Sequence, residues 1–124
     1  MKRGCPILFL IVLLMVHPCF FQPEADAREG LASWYSSKDR GVKHHTANGE
    51  RFDASKKTCA SWHYKFGTKL KVVNKRNGKS VTCRVNDRGP AKRLKRVIDL
   101  SRSAFMVIES PQRGLASVKI IPAD

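Results

Sequence analysis

The stretch Lys69-Leu-Lys-Val-Val-Asn74, then Asn77-Gly78, then Ser80-Val-Thr-Cys-Arg-Val-Asn86 decides the fold class. Both runs alternate polar with apolar residues, the period of a strand with one buried face. An Asn-Gly pair between two such runs is a strong hairpin signal, because both residues tolerate the positive φ of a tight reversing turn. Val81, Cys83 and Val85 then share one face, and Cys83 points inward.

Reading outward toward the N-terminus, Phe66-Gly67-Thr68 is a turn and Thr58–Trp62 a second short strand. Asn48-Gly49 is another turn dipeptide. Ser37–Asn48 is polar, basic and loop-like, and Gly30–Ser36 is a weakly alternating strand with aromatics. Toward the C-terminus, Asp87-Arg88-Gly89-Pro90 is a tight loop and Arg96–Leu100 a strand. Ser101 suits a helix N-cap. Ser103–Glu109 reads as a short helix burying Phe105 and Ile108, with Pro111 as its stop and Leu115–Ile121 as the closing strand. Six short strands and one helix predict a mainly β chain, a small closed barrel.

The ends carry a separate message. Lys2 and Arg3 precede Ile7–Val16, an unbroken apolar run of ten, and Ala25-Asp26-Ala27 resembles a cleavage site. This pattern predicts a secretory signal peptide over 1–27 and a single domain over 28–124. The run is half the roughly 20 residues that a membrane-spanning helix needs, so no stable membrane insertion is expected. A retained interfacial anchor and lipid attachment at Cys19 are the alternatives; His17 and Pro18 argue against the latter, where small residues are wanted. Cleavage would leave 97 residues with 22 Lys and Arg against 8 acids, a net charge still of +14. A domain so basic and exported meets acidic wall polymers, membrane surfaces or nucleic acid, and charge alone does not choose among them. The export signal argues against nucleic acid. Cys59 and Cys83 would remain, read as one disulfide or as two buried thiols.

Of the acidic residues, Glu29 and Asp124 lie at the ends, Glu109 ends the helix, and Asp39 sits in a basic loop. Glu50, Asp53, Asp87 and Asp99 each flank a turn or strand end, where sites are built. A proton-transferring carboxyl needs burial to raise its pKa, whereas a neighbouring arginine lowers it. Asp87 has Arg84 and Arg88 as chain neighbours, and Glu50 has Arg51. Spacing does not say which of the pair stays ionised, and Asp87 capping its own turn is the plainer alternative.

Taken in order, Gly30-Leu-Ala-Ser-Trp-Tyr-Ser36, Thr46-Ala-Asn-Gly-Glu-Arg-Phe-Asp53, Phe66-Gly-Thr68, Val85-Asn-Asp-Arg-Gly-Pro90 and Val97-Ile-Asp-Leu-Ser101 resemble the rare lipoprotein A family over residues 30 to 121. The resemblance implies a double-psi β-barrel that cuts peptidoglycan glycan strands endolytically between N-acetylmuramic acid and N-acetylglucosamine, leaving 1,6-anhydro ends. It implies Asp87 as acid/base, Glu50 as an orienting or stabilising partner and Asp99 as a third catalytic candidate. Asn48, Ser61, His63 and Arg88 join them as candidate substrate contacts. The family's T-A-A-H is Thr58-Cys-Ala-Ser61 here, so its histidine falls on Ser61, and in a strand His63 would share a face with Ser61. The Cys59 variant together with Cys83 fits a disulfide form. Such chemistry needs no cofactor, and the protein is expected to act as a monomer at the wall. An expansin-like barrel that grips wall glycan without cutting it is the alternative.

Trp34, Tyr35, Trp62 and Tyr64 either stack on sugars or pack the core. His44-His45 offers no metal site, because adjacent strand residues face opposite ways and no third ligand is spaced to help. Lys92-Arg93-Leu94-Lys95-Arg96 is either a solvated loop or a grip for acidic wall polymer or stem-peptide carboxylates.

Overall fold

The computed structural model describes residues 26–36 and 44–123. The apolar run, Cys5, Cys19, residues 37–43 with Asp39, and Asp124 lie outside the described residues. In chain order the elements are β1 (Arg28–Tyr35), β2 (Thr58–Ala60), β3 (Lys69–Asn74), β4 (Ser80–Asp87), β5 (Ile98–Ser101), α1 (Arg102–Ile108) and β6 (Ala116–Pro122). The strands close a barrel in the order β1-β5-β2-β4-β3-β6. The β1–β5 and β2–β4 pairs are parallel and the other four antiparallel.

The hairpin forms as its alternation requires. Leu70 lies opposite Cys83 and Val72 opposite Val81, all four buried. Gly78 closes the turn at φ 74°. The core gathers these side chains with Ile98, Leu100, Val118 and Ile120. Helix α1 adds Ala104, Phe105 and Ile108, each fully buried, and burying one such large side chain contributes about 1.5–3 kcal/mol. Ser101 caps α1 as expected, its Oγ accepting from the Ala104 N–H at 3.4 Å. A disulfide joins Cys59 of β2 to Cys83 of β4, with Cα atoms 5.9 Å apart and a sequence separation of 24. Closing that loop is worth about 3 kcal/mol in the chain-entropy model.

Strands β1, β4 and β6 and helix α1 end within one or two residues of the expected bounds, and three further differences have a local cause. Strand β2 stops at Ala60 rather than Trp62, because Ser61 Oγ accepts from the His63 and Tyr64 N–H groups and curls the chain. Strand β5 starts at Ile98 rather than Arg96, because Lys92–Leu94 form a 3₁₀ turn that ends on Lys95 at φ 53°. Pro111 opens a second 3₁₀ turn, Pro111–Arg113, where its missing N–H costs nothing.

Candidate functional site

One transverse row of the barrel carries the acidic side chains. Ser33 of β1 lies opposite Asp99 of β5, Asp99 opposite Ala60 of β2, and Ala60 opposite Asp87 of β4. A single strand, contributing only a methyl group, separates the two aspartates. At about 4.8 Å per strand their Cα atoms stand roughly 10 Å apart.

Asp87 reaches this row through an irregularity. Val81, Cys83 and Val85 point inward, and strict alternation would turn Asp87 inward as well. The β2–β4 pairing jumps from Cys59–Val85 to Ala60–Asp87, so Asn86 is an extra residue. One inserted residue sends the next side chain to the opposite face, and bulges re-aim side chains in this way beside active sites.

The row floors a cleft of about 590 Å³ whose lining includes Tyr35, His45, Ala60, Asp87, Pro90 and Asp99. Asp99 Oδ1 accepts from Ser33 Oγ at 3.0 Å. Asp87 Oδ1 accepts from the Ala47 and Arg88 N–H groups at 2.9 and 2.8 Å. Tyr35 is 8% exposed, and its buried hydroxyl has no hydrogen-bond partner among the described residues. Burial first, then the Asp87 and Asp99 carboxylates, push its pKa well up. The Thr58 hydroxyl opposes that shift from close by, outside hydrogen-bond geometry. Tyr35 is therefore a neutral donor beside two carboxyl groups.

The Thr46–Glu50 turn supplies the Ala47 N–H. Gly49 closes it at φ 90°, a conformation that favours glycine. Asn48 Oδ1 accepts from Thr46 Oγ1 and the Glu50 N–H, and its own N–H donates to the Asn86 carbonyl. Arg84 of β4 grips Glu50 through two hydrogen bonds of 2.5 and 2.7 Å. That grip, with help from Asn48 and Asn86, holds the Glu50 carboxyl at about 2, below its ordinary 4.5. Glu50 is thus an ionised brace that ties the turn to β4 and does not line the cleft.

The remaining expected contacts fall elsewhere. Arg88 lines the cleft, but its Nη1 donates to the Ser61 and Tyr64 carbonyls and its guanidinium stacks 3.9 Å over Phe66. Ser61 is buried, its Oγ spent on the turn after β2. His63 does not share a strand face with Ser61; it is exposed, meets Arg28 at 2.8 Å and lies against Asp26. Asn48 works inside its turn. Trp34 faces the other way from Tyr35, donating to the Pro111 carbonyl and packing near Phe105. His45 belongs to the cleft, a role the sequence reading did not assign it once a metal pair with His44 was set aside; it forms an isolated bridge to Arg51. Among the described residues no cluster of His, Cys, Asp and Glu could hold a metal ion.

This geometry has relatives. Residues 27–120 match a family of lytic transglycolases on the double-psi β-barrel. A Nostoc protein, "Probable endolytic peptidoglycan transglycosylase RlpA", is 46% identical over 92 residues, 74% of this chain and 24% of its own length. The Vibrio cholerae "Endolytic peptidoglycan transglycosylase RlpA" is 43% identical, over 79% of this chain and 36% of its own. The chain therefore spans only about a quarter to two fifths of these curated relatives. Among solved structures, a Streptomyces papain inhibitor superposes with TM-score 0.63 at 23% identity, covering 80% of this chain and 96% of that one. A Clavibacter michiganensis expansin, solved with cellohexaose, gives 0.61 at 20% identity, covering 79% and 50%. At such identities these two structures speak for the fold alone.

Proposed function

The chain belongs to the lytic transglycolase family, and from that premise we propose that it cuts peptidoglycan glycan strands endolytically and leaves 1,6-anhydro-muramic ends. The observation that carries this reading is the Asp99–Ala60–Asp87 row open to the cleft. Asp87 serves as acid and then base. With both N–H groups on Oδ1, the proton of the acid form rides on Oδ2. It passes to the glycosidic oxygen as the bond to C1 of the muramic residue breaks. The resulting carboxylate takes the proton of that sugar's C6 hydroxyl as O6 bonds to C1, so Asp87 ends protonated and no water is consumed. Asp99, oriented by Ser33, faces the positive charge that develops at C1. Tyr35 donates to a substrate oxygen, and Glu50 keeps the turn that holds Asp87. We read the protein as exported by its N-terminal segment, acting alone at the cell envelope without a cofactor.

The test incubates the protein with peptide-free glycan strands in heavy-oxygen water and weighs the new ends. Anhydro ends without the label are expected. Labelled reducing ends would replace the lytic step with hydrolysis. A second reading, a barrel that binds wall glycan without cutting it, draws support from Ser61, whose buried hydroxyl caps a turn where relatives of the family pattern place histidine. Strand binding with no new ends would favour it.

A further inference from the structure

Next to the cleft runs a second groove of about 290 Å³, lined by Arg28, Trp62, His63, Lys95 and Arg96 among others. Trp62 is 53% exposed, the most of any large hydrophobic side chain among the described residues. It is nevertheless fixed, because its indole N–H donates to the Pro90 carbonyl at 2.6 Å. Lys92 Nζ lies 5.2 Å over the same ring. Pro90, which lines the cleft, therefore also supports the groove through Trp62. The acids nearby are already engaged: Glu29 pairs with Lys75 at 3.0 Å, and Asp26 lies 3.4 Å from His63. Lys92, Lys95 and Arg96 form no ion pair with an acid among the described residues.

An orderly exposed indole gives a flat apolar platform for the C–H face of a sugar ring. Unpaired cations around it attract an anion carried by that sugar. The geometry points to this groove, tied to the cleft rim by the Trp62–Pro90 hydrogen bond, as a subsite that reads carboxylates on the glycan strand one or more sugars from the cut. This rests on the lytic reading for the identity of the strand, not for the groove itself. The carboxylate has two sources of one chemistry. A muramic residue stripped of its peptide exposes a lactyl carboxylate, and an unstripped one carries the carboxylates of its stem peptide.

Calorimetry of the full chain with a peptide-free muramic-containing tetrasaccharide, against chitotetraose as the uncharged equivalent, tests the subsite. The double variant Lys95→Gln/Arg96→Gln should weaken the acidic tetrasaccharide by roughly 3- to 10-fold, as expected for two exposed ion pairs, and leave chitotetraose unchanged. Trp62→Phe, which keeps a ring but loses the Pro90 hydrogen bond, should weaken both affinities less than Trp62→Ala does. Tighter binding of a peptide-bearing fragment, lost in the double variant, assigns the carboxylate to the stem peptide; tighter binding of the peptide-free one assigns it to the lactyl group. In the Lys95→Gln/Arg96→Gln variant, equal losses on charged and uncharged tetrasaccharides overturn the subsite, as does no loss on either. A Lys95/Arg96-dependent affinity confined to a glycerol-phosphate polymer also overturns it. Cleavage is scored separately. Charge-dependent binding without anhydro ends keeps the subsite and removes the lytic reading, and cleavage with charge-independent binding does the reverse.

Discussion

Two acidic side chains at opposite ends of the barrel are treated in opposite ways. Glu109, just past α1, is 6% exposed at its side chain and saturated with partners. Arg76 donates to both of its oxygens, Asn74 and the Ser110 N–H add further bonds, and Arg113 stands 3.7 Å away. Asp87 receives two backbone N–H bonds, both on Oδ1, and no cation among the described residues pairs with it. A carboxylate whose lone pairs are all taken holds structure together. One that keeps an oxygen in reserve, beside a neutral tyrosine and a cleft, can exchange a proton with a ligand. Glu50 stands between the two, saturated by Arg84 like Glu109 yet placed where its turn steadies Asp87.

After Asp87 itself, the largest effect expected on the cleft side is from Asp99→Asn. Removing a charge that stabilises a developing cation costs about 10²–10³ in rate, and cleavage assays should find this with an unchanged melting profile. On the opposite side, Asn74→Ala leaves the buried Ile108 carbonyl without that donor. About 1–3 kcal/mol of stability should disappear in urea denaturation while cleavage per folded molecule stays constant. Tyr35→Phe removes one donor from the cleft, and a loss of about 3- to 10-fold in rate is expected, with stability kept or slightly raised because an unpartnered buried hydroxyl goes.

The smallest effect is on acid stability. Glu50 and Glu109 both titrate near 2 in the folded protein, held down by Arg84 and Arg76, against 4.5 in the unfolded chain. A lowered folded pKa gives stability that is fully present above about 4.5 and lost as pH falls toward about 2. Denaturation midpoints should therefore decline across that window, and Glu109→Gln should flatten the decline. An unchanged slope would mean that Glu109 is no brace.

Much of this was legible in the chain, for physical reasons. The hairpin, the Ser101 cap and the buried Phe105 and Ile108 follow from local periodicity and capping, which need only neighbours in sequence. The Cys59–Cys83 disulfide is one of the two readings that the pair of cysteines allowed, the other being two buried thiols. The facing of Asp87 was not legible, because the alternation of β4 points it inward and only pairing with β2 reveals the extra Asn86. The role of Glu50 depends on Arg84, 34 residues away, while its chain neighbour Arg51 had drawn attention. His63 left the expected strand because Ser61 capped a turn, and His45 lines the cleft, a placement that no local pattern marks.

Cleavage rate and denaturation midpoint, measured side by side on Asp87→Asn and Glu109→Gln, probe this division of labour most directly. Asp87→Asn should retain the midpoint and lose about 10²–10⁴ in rate, and Glu109→Gln should retain the rate and lose midpoint. Wild-type cleavage by a folded Asp87→Asn protein would contradict it.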